Sequence, residues 1–300
     1  MNLSDVQMQQ ILDLNLELIE NDLGAISLEF ELAADDEVVA LLLVHSDPER
    51  AKAKPGNRST NVDGEEIVLP LHIVKGVEPE DDVGGPEDEP PLDDDVGLHH
   101  TLGMSGTTVR KGTSWGTLCL SGSRISIVLE GTRRCALDEP FLLSNSHVFD
   151  EAGARIRSVN DRHLGTATCV YSLEKKTTFD AGVARGTDAL DPNHAFVLFN
   201  PNGQPRQLHG LKTVRTGWKI FKQGAKTGWT EGKVGSPIRT RVKHHKAIYP
   251  GWRGTYRSLP GDSGSPVVYQ EAGKWYLVGI HFASGPSFHS WNNAVVAANP

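Results

Sequence analysis

The chain has 300 residues, 38% of them hydrophobic, with 31 glycines, a length and texture that suggest about two soluble, turn-rich domains. No run of eighteen apolar residues occurs, which excludes a helical membrane span, and the opening Met-Asn-Leu-Ser-Asp-Val has no basic stretch leading into an apolar core, so no secretory signal is expected. The net charge of −8 is divided unevenly: residues 1–77 carry 15 acids and 5 bases (−10), residues 78–97 carry 10 acids and no base (−10), and residues 98–300 carry 13 acids and 25 bases (+12). An acidic front is therefore tethered to a basic body, and the two should attract. Cys119, Cys135 and Cys169 have no metal-like spacing and read as three reduced, mostly buried thiols of a cytoplasmic protein.

Ser4 with Gln7 forms a capping-box pattern. Met8, Ile11, Leu12, Ile19 and Leu23 follow at helical spacing, and Gly24 is placed to end the helix. Ile26, Leu28, Phe30 and Leu32 alternate with polar residues, as in a strand with one wet face. Val38 to Val44 reads as a buried strand, and Ile67, Leu69, Leu71 and Ile73 alternate in a third. One helix and three strands make residues 1–76 a small α+β domain. It lacks a nucleophile, a phosphate loop or a metal cluster, and is expected to serve regulation or docking to a partner.

Residues 77–97 hold four prolines and ten carboxylates and cannot pack a core, so they read as an extended acidic tether. Two roles are open for it: a solvated spacer, or an acidic segment that lies in the cleft of the basic domain or is cut there. Within residues 98–300, from about residue 104, the texture changes to short β-rich runs broken by Gly, Ser, Thr and Asn, including Gly116 to Leu120, Arg124 to Leu129, Phe141 to Leu143 and Trp218 to Phe221. Many short strands without an amphipathic helix predict a β-sandwich or barrel.

Within that region Gly261-Asp262-Ser263-Gly264-Ser265-Pro266 sets a serine between glycines, as a sharp turn presenting a hydroxyl nucleophile requires. Upstream, the apolar run Phe141-Leu142-Leu143 leads through Ser144-Asn145-Ser146 to His147, a residue type suited to a general base. Asp180 lies between Phe179 and the small apolar run Ala181-Gly182-Val183-Ala184, where a buried carboxylate can orient an imidazole. His147, Asp180 and Ser263 are separated by 33 and 83 residues, and the order His, Asp, Ser is the chymotrypsin-like one.

These segments resemble the trypsin-like serine peptidases of the type found in bacteria and plants. Leu143-Ser144-Asn145-Ser146-His147-Val148 is similar to the family's L-S-N-N-H-V and Asp180 to Ala184 to its D-A-A-I-A. Lys222 to Val234 resembles its K-x-G-x-T-T-G-x-T-x-G-x-V strand pair, with Lys226 in place of the first Thr, and Gly261 to Pro266 is its nucleophile loop unchanged. Residues 1–76 bear a weaker likeness to the small domain that precedes some of these peptidases. The resemblance implies a mostly β, chymotrypsin-like double β-barrel preceded by a small α+β domain. His147 and Asp180 would lie on the first barrel and Ser263 on the second, and the N–H groups of Gly261 and Ser263 would form an oxyanion hole. It implies no cofactor and no metal. The disulfide that secreted members carry beside the histidine is absent, since Val148 stands there.

The resemblance also bears on substrate. The backbone of Phe282, Ala283 and Ser284 would pair with an extended peptide by strand addition. Arg257 stands where the family's acid for Lys or Arg side chains would be, so cleavage after a base is not expected. Gly279-Ile280-His281 resembles the corresponding strand of glutamyl endopeptidases, with Ser258 and Ser284 where further donors to an acidic side chain would fall. An acidic preference before the cut is one expectation; a pocket for small or apolar residues, with His281 merely filling the strand, is the other. Two further classes stay in view. A peptidase fold without catalysis would be a peptide-binding module, and the basic run from Arg239 to Lys246 raises nucleic-acid binding. The complete triad argues against the first and the lack of interleaved aromatics against the second.

Overall fold

The computed structural model describes residues 1–80, 107–111, 114–129, 133–170, 179–188, 190–199, 204–243, 247–285, 287–290 and 295–299. Most of the tether expected over 77–97 lies outside the described residues; its first four residues lie within them.

The capping box forms as its sequence dictates. Gln7 N–H donates to Ser4 Oγ at 3.2 Å and Ser4 N–H to Gln7 Oε1 at 3.0 Å, opening the helix Asp5–Leu14. That helix buries Met8, Ile11 and Leu12 but does not continue to Leu23 as its periodicity predicts. Asn15 ends it. The buried Asn15 amide donates to Ile11 O at 2.9 Å and to Thr60 Oγ1 at 3.0 Å, trading helix continuation for a tertiary bond. A single turn, Glu17–Glu20, follows, Leu23 is 92% exposed, and Gly24 leads into a strand rather than capping a helix.

The expected strands appear as Ala25–Leu32, Val38–His45 and Glu65–Lys75, joined by a fourth, Gly56–Val62, which was not expected. Val38–His45 runs antiparallel to Ala25–Leu32 and parallel to Glu65–Lys75, whose other edge takes Gly56–Val62. The sheet does not stop there. Ala25–Leu32 also pairs with the long strand Gly228–Arg241, with Ser27 opposite Thr240 and Leu28 opposite Arg239. An edge that would otherwise face water is covered by the chain's own N-terminal region. Ion pairs follow the charge division: Asp13 with Arg239 at 2.7 Å, Glu29 with Arg253 at 2.8 Å, and Asp36 with Lys233 at 2.8 Å. Arg241 donates to Ile19 O at 2.7 Å. Two arginines of the basic run are thus engaged within the molecule; residues 244–246 of that run lie outside the described residues.

Gly228–Arg241 belongs to a closed ring. In order, Lys219–Gly224, Gly228–Arg241, Ile248–Gly254, Ser287–Ser290, Lys274–Ala283 and Pro266–Glu271 are each hydrogen-bonded to the next, and the last returns to the first. This is a six-stranded barrel. A second sheet runs Ser114–Thr117, Thr108–Lys111, Arg155–Ser158, His163–Val170, Gly182–Gly186, Phe141–Ser144, Leu120–Gly122. Its two end segments are separated only by Leu118 and Cys119, so one interrupted strand serves both edges and the sheet curls into another barrel. Leu120, Phe141, Leu143 and Val183 of this first barrel meet Val268, Leu277 and Ile280 of the other in one apolar core.

Cys135 and Cys169 form a disulfide, with Cα atoms 6.1 Å apart, while Cys119 stays a buried thiol. The expectation of three reduced thiols is corrected: pairing depends on how Arg133–Leu137 approaches His163–Val170, which spacing in the sequence does not reveal. Among the described residues no helix is long and apolar enough to cross a membrane.

Candidate active site

The strand Phe141–Ser144 runs out of the first barrel's core and turns at once into the short helix Ser146–Phe149, which carries His147. The next strand of the barrel, Gly182–Gly186, pairs with Phe141–Ser144 and is preceded by Asp180. Adjacent strands thus deliver an imidazole and a carboxylate to one place. His147 Nδ1 hydrogen-bonds Asp180 Oδ2. The other oxygen, Oδ1, accepts Ser146 N–H at 2.8 Å, the Ser146 hydroxyl, and His147 N–H at 3.3 Å. Asn145 secures the backbone of the same residue through its amide to Asp180 O at 2.8 Å. Burial would raise the Asp180 carboxyl, but the facing His147 and the hydrogen bonds from His147 and Ser146 outweigh it and hold the group well below the usual carboxylate range.

His289, from the second barrel, completes the surroundings of Asp180. Asp180 N–H donates to His289 Nε2 at 3.1 Å, so the ring's proton sits on Nδ1, which donates to Pro250 O at 2.9 Å. The ring stacks between Phe179 and Phe282, with centroids 4.7 and 4.1 Å away. Burial pushes its pKa down to about 4, with Asp180 and the bond to Pro250 opposing the shift. It is a neutral histidine used as a spacer and hydrogen-bond acceptor.

The serine stands on a loop held by a second buried aspartate. Asp262 Oδ2 accepts Lys222 Nζ at 2.9 Å, Thr227 Oγ1 at 2.8 Å and Leu259 N–H at 3.0 Å. Its Oδ1 accepts the N–H groups of Lys226 and Thr227 at 3.0 and 3.1 Å. Lys222 and Asp262 are both 0% exposed. Burial would raise the Asp262 carboxyl, yet the Lys222 charge and these bonds lower it overall.

The loop's backbone alternates between used and unused donors. N–H groups of Asp262, Gly264 and Ser265 donate to Leu259 O, His281 O and Asp262 O at 2.9 to 3.0 Å. Those of Gly261 and Ser263, in equally buried residues, donate to no group among the described residues. Buried orphan N–H groups are rare, and two flanking one residue form a small anion seat. Gly261 has φ +105°, and a Cβ there would lie 2.3 Å from the Trp115 ring, so no other residue fits. The Ser263 hydroxyl is buried and has no hydrogen-bond partner among the described residues, so it is not bonded to His147 in this structure. Catalytic hydrogen bonds are often long before substrate arrives.

Both halves of the site meet at Gly116-Thr117. Thr117 N–H donates to Ser263 O at 2.7 Å and Thr117 Oγ1 to Gly261 O at 2.8 Å. A Cβ on Gly116 would lie 2.7 Å from Val148, next to His147, and 2.9 Å from Ser263 O.

The residues expected to hold substrate are less uniform. Phe282 and Ala283 are buried at the end of Lys274–Ala283, and Ser258 is half-buried. His281 is 0% exposed, with Nδ1 3.1 Å from the Tyr256 hydroxyl. Ser284 has its hydroxyl and its N–H engaged with the backbone of Glu80, at 2.9 and 3.0 Å. Lys222 and Thr227 stand in the resembled strand-pair motif but were given no role there; His289 was not singled out by sequence, nor was Ser146, which marks the one departure from the resembled L-S-N-N-H-V segment. Among the described residues no group of three or more His, Cys, Asp or Glu side chains is placed to hold a metal.

No protein-family model matches the sequence, and no curated protein matches it. Among solved structures the chain is similar to a glutamic-acid-specific serine protease that utilises a histidine triad in substrate binding, at 18% identity and a TM-score of 0.47, covering 63% of this chain and 94% of that one. It is similar to Thermobifida fusca protease A at 17% identity and a TM-score of 0.46, covering 65% and 98%, and to Nocardiopsis protease at 14% and 0.47, covering 67% and 99%. The chain's own strand pairing, two β-barrels with His147 and Asp180 on the first and Ser263 on the second, is the chymotrypsin-like fold expected from the sequence. A mostly β double barrel preceded by a small part with helix, as the sequence leads one to expect, is the architecture of this chain.

Proposed function

We propose that the chain is a serine endopeptidase. Ser263 Oγ attacks the scissile carbonyl while His147 Nε2 takes its proton. The oxyanion that forms is met by the N–H groups of Gly261 and Ser263. His147 then gives the proton to the leaving amine as the C–N bond breaks, and a water, deprotonated by the same imidazole, hydrolyses the acyl-enzyme. Asp180 keeps the proton of neutral His147 on Nδ1 and stabilises the imidazolium. The observation that carries this reading is the pair of unused, buried N–H groups beside Ser263, on a loop fixed by Lys222–Asp262 and packed against the His147 segment. A preformed oxyanion seat is worth about 3–4 kcal/mol in such reactions.

The preferred side chain before the cut is acidic, Glu or Asp, in this reading. The +12 charge of residues 98–300 and the position of His281, one residue before Phe282, support it. Residues 1–76 act as a module docked in cis on the second barrel, consistent with their pairing to Gly228–Arg241. The disulfide supports an oxidising compartment and removes the ground for a reducing, cytoplasmic one. A peptide library profiled at the residue before the cut tests the whole reading. Cleavage enriched after Glu or Asp, and lost in Ser263→Ala, is expected. Preference for Leu, Phe or Ala ends the acidic part; cleavage unaffected by Ser263→Ala, or none at all, ends the peptidase reading.

A further inference from the structure

The start of the acidic tether is seated on the edge expected to receive substrate. Glu80 N–H donates to Ser284 Oγ at 2.9 Å, and Ser284 N–H donates to Glu80 O at 3.0 Å. One residue earlier, Pro79 is buried and its carbonyl accepts Lys243 N–H at 2.7 Å. The Glu80 carboxylate then bonds to Lys243 Nζ. The backbone of residues 79 and 80 is therefore engaged just beyond the end of Lys274–Ala283, as an extended peptide's would be, by one backbone bond and the Ser284 hydroxyl at Glu80 and one backbone bond at Pro79, with one side chain gripped by a charge. Arg253, also near this corner, donates to Gly285 O at 2.6 Å and is paired with Glu29 at 2.8 Å. Among the described residues, Lys243 is the cation bonded to the Glu80 carboxylate.

We infer that Ser284 and Lys243 form a subsite for an acidic residue of an extended peptide, and that the chain's own Glu80 fills it and competes with substrate. The inference rests on the peptidase reading and adds to it a selecting residue, Lys243, at a position other than the one before the cut. A glutamate or aspartate fits both demands of the subsite: its backbone supplies the N–H and C=O that Ser284 engages, and its carboxylate reaches Lys243 as Glu80 does. A lysine or arginine there would face Lys243 and be rejected. Half-exposed ion pairs are weak singly, so the discrimination expected from Lys243 is modest, about 3- to 5-fold.

The test uses the full chain, Glu80→Gln, Lys243→Glu and the charge swap Glu80→Lys/Lys243→Glu, each checked for an unchanged melting temperature. Peptides with Glu, Gln or Lys scanned through the four positions before the cut are assayed for kcat/KM. One position other than that before the cut should favour Glu over Lys by about 3- to 5-fold, and Lys243→Glu should reverse that preference at that position alone. Glu80→Gln should lower KM with kcat unchanged, and the charge swap should return KM toward that of the parent. Should Lys243→Glu leave every position's preference unaltered, or Glu80→Gln leave KM unaltered, the contact is a structural anchor only and the inference fails. Should no variant cleave, the peptidase reading fails, and the subsite is decided on Ser263→Ala by fluorescence anisotropy with a labelled Glu-rich peptide. Tighter binding with Glu80→Gln and weaker with Lys243→Glu upholds it; equal binding overturns it.

Discussion

Each barrel buries one aspartate at the site, and the two are partnered differently. In the first barrel Asp180 faces His147, a group that can gain and lose a proton; in the second, Asp262 faces Lys222, which at neutral pH does not. In the proposed mechanism one pair cycles and the other stays. The same division holds for what secures the barrels. The disulfide Cys135–Cys169 lies in the first half of the molecule, whereas the second has an ion pair at its heart and the N-terminal sheet along its outer edge. The first barrel thus carries a covalent link at Cys169, whereas the Ser263 loop is held by an ion pair, by hydrogen bonds and by packing on Trp115.

If the division is real, the two aspartates should fail differently when altered. Asp180→Asn should cost activity most, about 10⁴-fold in kcat, because the imidazole is then held with its proton on the wrong nitrogen, while the melting temperature changes little. Steady-state kinetics and a thermal melt on the same sample check both halves. Lys222→Met should show the opposite emphasis. It leaves Asp262 buried without its cation and should destabilise the chain by about 3–5 kcal/mol, read from the urea midpoint. Lys222→Met/Asp262→Asn should recover part of that loss but not the activity, because the loop loses its anchor. Replacing Cys135 by Ala should destabilise by about 3–4 kcal/mol, as expected for a loop closed over 34 residues, and the parent should show the same drop under reductant.

The smallest effect concerns His289, whose pKa of about 4 lies below the ordinary value of 6.5. Between those values the unfolded chain takes up a proton that the folded chain refuses, so stability falls as pH drops from 6.5 and levels off below about 4. The full effect is on the order of 3 kcal/mol. In His289→Gln, which can still accept from Asp180 N–H and donate to Pro250 O, that part of the pH dependence should vanish. Denaturant midpoints at pH 7, 5.5 and 4 for both proteins give the difference directly.

Local pattern made the short strands and the His, Asp and Ser segments legible, as apolar strands ending in polar turns and a serine between glycines; it left a sandwich or a barrel open, and the double barrel came from the resemblance. The sequence was silent where residues far apart decide the outcome. Lys222 opens a resembled motif, but its task stays hidden until Asp262, 40 positions on, is brought to it. Asn15 breaks a helix whose apolar spacing continues past it, because Thr60 offers a bond from another strand. Gly56–Val62 escaped notice because only Thr60 and Val62 face inward and the rest is polar. Three cysteines cannot reveal which two meet. His281 was legible as a residue of the substrate strand, but its partner Tyr256, 25 positions earlier, was not.

The claim at the centre is that Ser263 is an activated nucleophile beside a ready anion seat. A fluorophosphonate probe, with the labelled peptide identified by mass spectrometry, tests it most directly. Stoichiometric modification of Ser263 in the Glu80→Gln protein, abolished by His147→Ala and by prior unfolding, is the predicted result. A folded protein that leaves Ser263 unmodified, or labels equally well without His147, would contradict the account.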